Sequence, residues 1–101
     1  GFNIYPGEVE QVLWTHAAIQ DCAVIGVPDD KWGEAVKAVL ELKPGHTIDP
    51  DEVIAYCKQR LGSIKTPKSV EVWESLPRSP VGKVLKKAIR EVYWRNETRR
   101  I

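Results

Sequence analysis

The feature that most limits the fold of this sequence is a pair of apolar segments joined by a short polar stretch. Residues 21–28 form an apolar run, DCAVIGVP, that ends at a proline and is typical of a buried strand. Residues 34–43 instead alternate between apolar and charged side chains. The apolar set is Val36, Ala38, Leu40 and Leu42, and the charged set is Lys37, Glu41 and Lys43. With residues 29–33 as a turn, the two segments are predicted to form an antiparallel hairpin.

Helix signals stand on both sides of this hairpin. A short amphipathic helix is predicted at about residues 6–15, because Pro6 suits a first helical position and apolar residues recur at helical spacing. A second helix is predicted between Asp49, as its N-cap, and Gly62, which ends it. Its buried stripe is predicted to be Val53, Tyr56, Cys57 and Leu61.

The last third of the chain adds a short strand, an irregular loop and a helix. The strand is predicted at residues 70–73, and the loop at residues 76–82, where two prolines and a glycine exclude regular helix. The final helix is predicted to turn Leu85, Ala88, Ile89, Val92 and Tyr93 inward. The sequence therefore predicts one small α+β domain, with a small mixed sheet built on the central hairpin and covered by about three helices.

Composition narrows the class of protein. The 101 residues are 43% hydrophobic and 29% charged, which is ordinary for a globular domain. There is no apolar run of the ~20 residues that span a bilayer and no visible signal peptide, so a cytoplasmic protein is expected. Cys22 and Cys57 are predicted to be reduced core thiols. His16 and His46 lack ligand-like spacing to either cysteine, and no metal site is expected.

The charge is divided unevenly along the chain. Residues 1–76 hold 7 Lys+Arg and 12 Asp+Glu, a balance of −5, whereas residues 77–101 hold 8 and 2, a balance of +6. Such a basic end suggests an anionic partner, although a solvated helix face explains it equally simply. One hypothesis is a nucleic-acid-binding module that uses the last helix and Trp94. Against it, the aromatic residues are not interleaved with basic residues on one sheet face.

Four segments could carry chemistry. Residues 1–10 place a glycine before a helix, where backbone can approach a ligand, but a plain strand-to-helix turn fits as well. Trp32 either covers the core or offers a flat face to an adenine or pantetheine group. Lys65 is by itself only a surface lysine. Lys83 follows Gly82 at the predicted start of a helix, where backbone amides and an ammonium would make an anion site. A P-loop is excluded there, because the required glycine and Ser/Thr are missing.

Together these segments resemble one family. GFNIYPGEVE is similar to the motif that opens the C-terminal domain of adenylate-forming enzymes, which include acyl-CoA ligases, peptide-synthetase adenylation domains and luciferases. VIGVPDDKWGEAVKAVLELKPG resembles the central hairpin of that domain, and LPRSPVGKVLKK resembles its final motif. The resemblance covers nearly the whole chain in the family's order.

The resemblance implies a function for residues 1–101. Family members use Mg²⁺-ATP to convert a carboxylic acid into an acyl-adenylate, releasing pyrophosphate, and then transfer the acyl group to a thiol such as coenzyme A. The small C-terminal domain acts as a lid that rotates on the N-terminal domain of the same enzyme between the half-reactions. The resemblance makes Lys83 the adenylation lysine and brings Gly1 and Phe2 to the thioester-forming site near pantetheine. It places Trp32 and Lys65 near the coenzyme A tunnel or the nucleotide.

Some implications of the resemblance are incomplete. Asn3 replaces an arginine found in other members, so a phosphate contact there is in doubt. The hinge residue lies upstream of the opening motif, so the chain is expected to be part of a longer enzyme and inactive alone. A CoA ligase, as in fatty acid metabolism, ranks before a peptide synthetase, because no carrier domain follows Ile101, and before a luciferase, because a C-terminal Ser-Lys-Leu is missing. The identity of the acid stays open.

Overall fold

The computed structural model describes residues 5–31 and 33–95. Three helices and three strands follow one another in the predicted order. They are α1 (Pro6–Trp14), β1 (Ile19–Asp29), β2 (Gly33–Leu42), α2 (Pro50–Leu61), β3 (Ser69–Trp73) and α3 (Lys86–Trp94). The predicted α+β class, with a mixed sheet and three helices, is confirmed.

The sheet is built on the central hairpin. β1 and β2 pair antiparallel, with Cys22 opposite Leu40 and Val24 opposite Ala38. β3 adds to the other side of β2 and runs parallel to it, so the strand order is β1-β2-β3. β3 runs parallel to β2 because α2 carries the chain from the end of β2 back to the end of the sheet where β2 begins, and β3 starts there.

Both faces of the sheet are covered. One cluster lies under α1 and α2, and its fully or nearly fully buried members are Val9, Leu13, Ile19, Cys22, Val24, Ala38, Leu40, Val53 and Cys57. The other lies under α3 and contains Ala23, Ile25, Val27, Val39, Leu76 and Ile89. Cys22 and Cys57 are free buried thiols, as predicted, and burial raises the pKa of both.

The face of β2 that carries the charged side chains is also covered. Only 18% of the Lys37 side chain and 17% of the Glu41 side chain are exposed. Both charges are tolerated there because each has an opposite charge beside it, Glu71 for Lys37 and Arg78 for Glu41. The alternating pattern of β2 predicts the strand correctly, but the polarity of its second face does not mean exposure.

The helix ends follow local chemistry. The Asp49 carboxylate accepts a hydrogen bond of 2.9 Å from the amide of Asp51 and so caps α2, as predicted. In α3 only part of the predicted stripe is buried. Ile89 is fully buried, whereas Leu85 is 40% exposed and Val92 45% exposed. Leu85 precedes the first residue of α3, so helical periodicity does not govern its direction.

The free edge of β1 is covered by two helices. The buried Glu10 carboxylate of α1 accepts a 2.9 Å hydrogen bond from the Val24 amide and lies 2.6 Å from the Lys86 ammonium of α3. Farther along the strand, the indole of Trp94 donates to the carbonyl of Gly26 at 2.8 Å. These contacts satisfy backbone groups that an open edge would offer to another strand. No helix in the described part of the chain is long and apolar enough to cross a bilayer.

Candidate functional site

The segment that carries Lys83 forms a tight turn closed by its own backbone. The Gly82 amide donates to the Ser79 carbonyl at 2.8 Å, and the Ser79 amide donates to the Lys83 carbonyl at 2.8 Å. Arg78 and Val84 form an isolated antiparallel bridge just outside these bonds. Gly82 has a φ of +89°, which a side chain would strain, so glycine is needed for the chain to turn here.

Lys83 stands on this turn and not at a helix start. α3 begins three residues later, at Lys86, which corrects the prediction that helix amides and the Lys83 ammonium share one anion site. The helix is delayed because the Leu85 amide donates to the Pro77 carbonyl at 2.9 Å and closes the loop first. Lys83 is exposed, and its ammonium has no ion-pair partner among residues 5–31 and 33–95. No described residue therefore neutralises its positive charge.

An arginine ties this turn to the sheet. One guanidinium nitrogen of Arg78 lies 3.0 Å from the Asp21 carboxylate and 2.9 Å from the Glu41 carboxylate. Glu41 also accepts a 2.9 Å hydrogen bond from the amide of the buried Leu76. Hydrogen bonding to Glu41, and next to Asp21, raises the pKa of Arg78. The loop is thus held where β1 begins and β2 ends.

Lys65 has a different setting. Its ammonium lies 2.9 Å from the Glu8 carboxylate and 5.0 Å from the centre of the Tyr5 ring. The hydrogen bond to Glu8 raises the pKa of Lys65. The lysine that sequence alone treats as a surface residue is therefore held against the first turn of α1, next to the opening motif.

The two lysines lie at opposite ends of the sheet. The loop of Lys65 enters the sheet where the Lys68 amide donates to the Val36 carbonyl at 2.8 Å, whereas the Lys83 turn is anchored at Glu41. The five residue steps of β2 between Val36 and Glu41 span roughly 16 Å. α1 runs the same way, from Glu8 beside Lys65 toward its last residue, Trp14, whose indole donates to Asp21 at 3.2 Å.

Comparison with known proteins identifies the domain. The model of the family described as the AMP-binding enzyme C-terminal domain matches residues 8–83. The chain belongs to this family. Its match includes Glu8, Lys65 and Lys83, and so covers both ends of the sheet.

Relatives of this AMP-binding enzyme C-terminal domain are acyl-CoA ligases. The chain is 50% identical over 91 residues to the 3-[(3aS,4S,7aS)-7a-methyl-1,5-dioxo-octahydro-1H-inden-4-yl]propanoyl:CoA ligase of Rhodococcus jostii, covering 90% of this chain and 18% of the ligase. It is 49% identical over 90 residues to a feruloyl-CoA synthase of Amycolatopsis sp., covering 89% and 18%. The crystal structure of ATP-bound MatB from Rhodopseudomonas palustris superposes with a TM-score of 0.84 at 40% identity, covering 92% of this chain and 18% of that one. The chain thus spans about a fifth of these relatives.

Three predicted site residues of the AMP-binding enzyme C-terminal domain, Gly1, Phe2 and Trp32, lie outside the described residues. The turn between Asp29 and Gly33 lies at the end of the sheet where β2 and β3 begin, because β3 is parallel to β2. That is also the end at which Lys65 is held. The predicted coenzyme A residue Lys65 and the turn at 29–33 therefore share one end, and Lys83 lies at the other.

Sequence reasoning misses the residues that hold the two lysines. Arg78 stands out in the sequence only as part of the final motif, and its partner Asp21 lies 57 positions away. The helix dipole alone accounts for Glu8 in the sequence, although its carboxylate bonds Lys65, also 57 positions away. No local pattern links such pairs, because the fold brings them together. No group of three or more metal-type ligands occurs within residues 5–31 and 33–95.

Proposed function

We propose that residues 1–101 are the mobile C-terminal domain of an ATP-dependent, AMP-forming acid–CoA ligase. In this proposal the domain supplies the adenylation lysine, Lys83, and part of the coenzyme A site. The observation that carries it is the placement of Lys83 and Lys65 at opposite ends of one sheet, anchored roughly 16 Å apart. Membership of the AMP-binding enzyme C-terminal domain family, and relatives that are named CoA ligase and synthase, support the same function.

Adenylation explains why an exposed, unpaired lysine is useful. In this half-reaction a carboxylate oxygen bonds to the α-phosphorus of ATP while the bond to pyrophosphate breaks, so two anions meet and negative charge grows on the leaving group. A positioned ammonium stabilises that growing charge, most strongly in a site closed against water. Lys83 fits a phosphate group, since it is exposed and has no ion-pair partner among the described residues. Mg²⁺ would be held by the N-terminal domain, as no suitable carboxylate cluster occurs among the described residues.

The thioester half-reaction would use the other end of the sheet. Lys65, Tyr5 and the turn at 29–33 lie there, and the resemblance adds Gly1, Phe2 and Trp32 to this group. Reacting groups must approach within about 3–3.5 Å. Two ends separated by roughly 16 Å do not serve one reaction centre in a single orientation. Rotation of the domain between half-reactions resolves this, with Lys83 at the centre first and the Lys65 end second.

The structure weakens the competing hypothesis of a nucleic-acid-binding module. That hypothesis rests on the +6 balance of residues 77–101. At least three of the basic residues that the structure describes in this segment pair with acids within the domain. They are Arg78 with Asp21 and Glu41, Lys86 with Glu10, and Arg90 with Glu34. Charges neutralised in this way are not available for phosphate contacts along a nucleic acid.

The test measures both half-reactions on one variant of the full-length ligase. Lys83→Ala should slow acyl-adenylate formation from acid and ATP by about 10²–10³-fold, the usual cost of one such electrostatic contact. Lys83→Arg should also be slow, because arginine keeps the charge but changes the reach and geometry. Thioester formation from pre-made acyl-adenylate and coenzyme A should stay nearly unchanged. Equal loss in both half-reactions, or in neither, contradicts the assignment of Lys83.

A further inference from the structure

We propose that Arg78 is a positioning residue for adenylation, which locks the turn that carries Lys83 onto the end of the sheet. The proposal rests on the function proposed for Lys83. Arg78 does not touch the reacting groups in this proposal, and its effect passes through the direction in which Lys83 points.

Arg78 resolves an electrostatic conflict in the hairpin. Asp21 on β1 and Glu41 on β2 lie directly opposite each other in the strand register. Like charges in that arrangement repel. A single guanidinium nitrogen of Arg78 bonds both carboxylates, at 3.0 Å to Asp21 and 2.9 Å to Glu41. The three side chains are only 29%, 21% and 17% exposed, so solvent screens the pair of acids poorly. The two carboxylates of the hairpin therefore form a fixed binding site for one cation.

The backbone transmits this anchoring to Lys83. Arg78 bridges to Val84, and the Ser79 amide donates to the Lys83 carbonyl at 2.8 Å, so the residues on either side of the turn are joined. Ahead of the turn, the second guanidinium nitrogen of Arg78 donates to the Leu76 carbonyl at 3.2 Å. The tip of the turn lacks comparable packing, since Val81 is 91% exposed. Arg78 thus joins the turn to both strands of the hairpin, while the bond from the Leu76 amide to Glu41 holds the chain just ahead of it.

Loss of this anchor should affect one half-reaction. A displacement of about 1 Å at a reacting centre can cost on the order of 10²-fold in rate. In the full-length ligase, Arg78→Ala should therefore slow acyl-adenylate formation by on the order of 10²-fold. Thioester formation from pre-made acyl-adenylate should change little, because the Lys83 turn faces away from the centre in that step. A residue that only stabilises the domain would slow both half-reactions together.

The experiment compares four variants of the full-length ligase with Lys83→Ala as the reference. Arg78→Ala removes the anchor, and Arg78→Lys keeps a cation between Asp21 and Glu41 while losing the bond to the Leu76 carbonyl. Arg60→Ala is the matched control, because this arginine packs 3.6 Å from the centre of the Tyr56 ring on α2, away from the turn. The double variant Arg78→Ala/Lys83→Ala tests whether the two residues act on one process.

Four results support the proposal together. Arg78→Ala slows adenylation and spares thioester formation, Arg78→Lys restores part of the adenylation rate, Arg60→Ala changes neither, and the double variant is no slower in adenylation than Lys83→Ala. Equal loss in both half-reactions, or additive loss in the double variant, overturns it. If Arg78→Ala yields no folded enzyme, the two half-reactions are compared in Arg78→Lys instead. Slower adenylation with unchanged thioester formation then supports the proposal, and equal loss in both overturns it. If Lys83→Ala slows adenylation and Arg78→Ala does not, this inference alone is overturned. If Lys83→Ala leaves the adenylation rate unchanged, the proposed function is overturned as well.

Discussion

The ammonium of Lys65 is held between the carboxylate of Glu8, 2.9 Å away, and the ring of Tyr5, 5.0 Å from its centre. The loop after α2 is in this way attached to the first turn of α1. Holding a long, flexible lysine side chain in one position costs rotamer entropy. Lys65 has a defined position before any ligand arrives, and 34% of its side chain remains exposed. In the proposed function, Lys65 meets a phosphate of coenzyme A from its open side while Glu8 keeps it in place.

The first prediction separates Lys65 from its partner. In the full-length ligase, Lys65→Ala should raise KM for coenzyme A about tenfold, because one charge-assisted hydrogen bond to coenzyme A is lost. Acyl-adenylate formation should be unchanged. Glu8→Gln is the matched control, because it removes the ion pair and retains the lysine, and it should raise KM less. Steady-state kinetics with varied coenzyme A measure both. An equal or larger effect of Glu8→Gln would mean that Lys65 serves only to attach the loop to α1.

The second prediction concerns Trp32, on the turn between β1 and β2. If the indole faces coenzyme A, Trp32→Ala should raise KM for coenzyme A by about tenfold, as expected when an aromatic contact of about 1–3 kcal/mol is lost, and spare adenylation. Trp32→Phe keeps an aromatic face and should recover part of the affinity. Thermal unfolding of both variants supplies the control. A large fall in melting temperature for Trp32→Ala, with no specific effect on KM, would show instead that Trp32 covers the core.

The sequence predicted the elements because each has a local signal. The apolar run of β1 and the alternation of β2 identify the hairpin, and Asp49, Pro50 and Gly62 mark the ends of α2. These patterns repeat over a few residues and need no knowledge of distant contacts. They were sufficient to predict the order of the helices and strands.

The contacts that shape the candidate site were not predictable in the same way. The Arg78–Asp21 pair joins residues 57 positions apart, and nothing near either residue selects the other. The start of α3 was misplaced for a different reason. The Arg78–Val84 bridge and the bond from the Leu85 amide to the Pro77 carbonyl close the turn within a few residues, and this closure overrides the local helical pattern. The motif identified the lysine, but the fold determines its setting.

The third prediction compares two glycines. Gly82→Ala should lower the free energy of unfolding by about 1–3 kcal/mol, because the φ of +89° at this position strains any residue with a side chain. Gly7→Ala is the matched control, since Gly7 lies in the first turn of α1 and a methyl group there would enter open space, so alanine should not lower the free energy of unfolding. Urea unfolding of the 101-residue chain measures both. A neutral Gly82→Ala would show that the turn relaxes without cost.

The fourth prediction rests on a polar cluster between α3 and β3. The Tyr93 hydroxyl donates to the Glu71 carboxylate, and the Trp73 indole lies 3.2 Å from the hydroxyl and 3.1 Å from the carboxylate. Burial, together with the bond to Glu71, raises the pKa of Tyr93 to about 12 from its ordinary value near 10. The bond from Tyr93 in turn lowers the pKa of Glu71, with the Trp73 bond as the next cause.

These two shifts act on stability at opposite ends of the pH scale. The phenol of the unfolded chain ionises near pH 10, whereas the folded chain keeps its proton until about pH 12. The stability due to Tyr93 is therefore fully present below pH 10 and is lost as the pH rises toward 12. Glu71 is the reverse case, because its pKa is lower in the folded chain. Its contribution is present above its unfolded pKa of about 4.5 and is lost as the pH falls through the folded value.

Tyr93→Phe should remove the alkaline effect while keeping the ring, and should only weaken the acid-side effect, because the Trp73 bond to Glu71 remains. At neutral pH the variant should lose about 1 kcal/mol of unfolding free energy, the net value of a typical hydrogen bond. The difference from wild type should shrink between pH 10 and 12, because Tyr93 ionises in this range and its contribution to the stability of the wild type is lost. Glu71→Gln keeps an acceptor for the hydroxyl but removes the carboxylate, so it should abolish the acid-side loss and retain part of the alkaline one. Urea unfolding at a series of pH values measures all three proteins. If the difference between wild type and Tyr93→Phe stays constant from about pH 9 to 12, the hydroxyl titrates alike in the folded and unfolded chains, and the packing of its ring against Trp73 is what stabilises this side of the sheet.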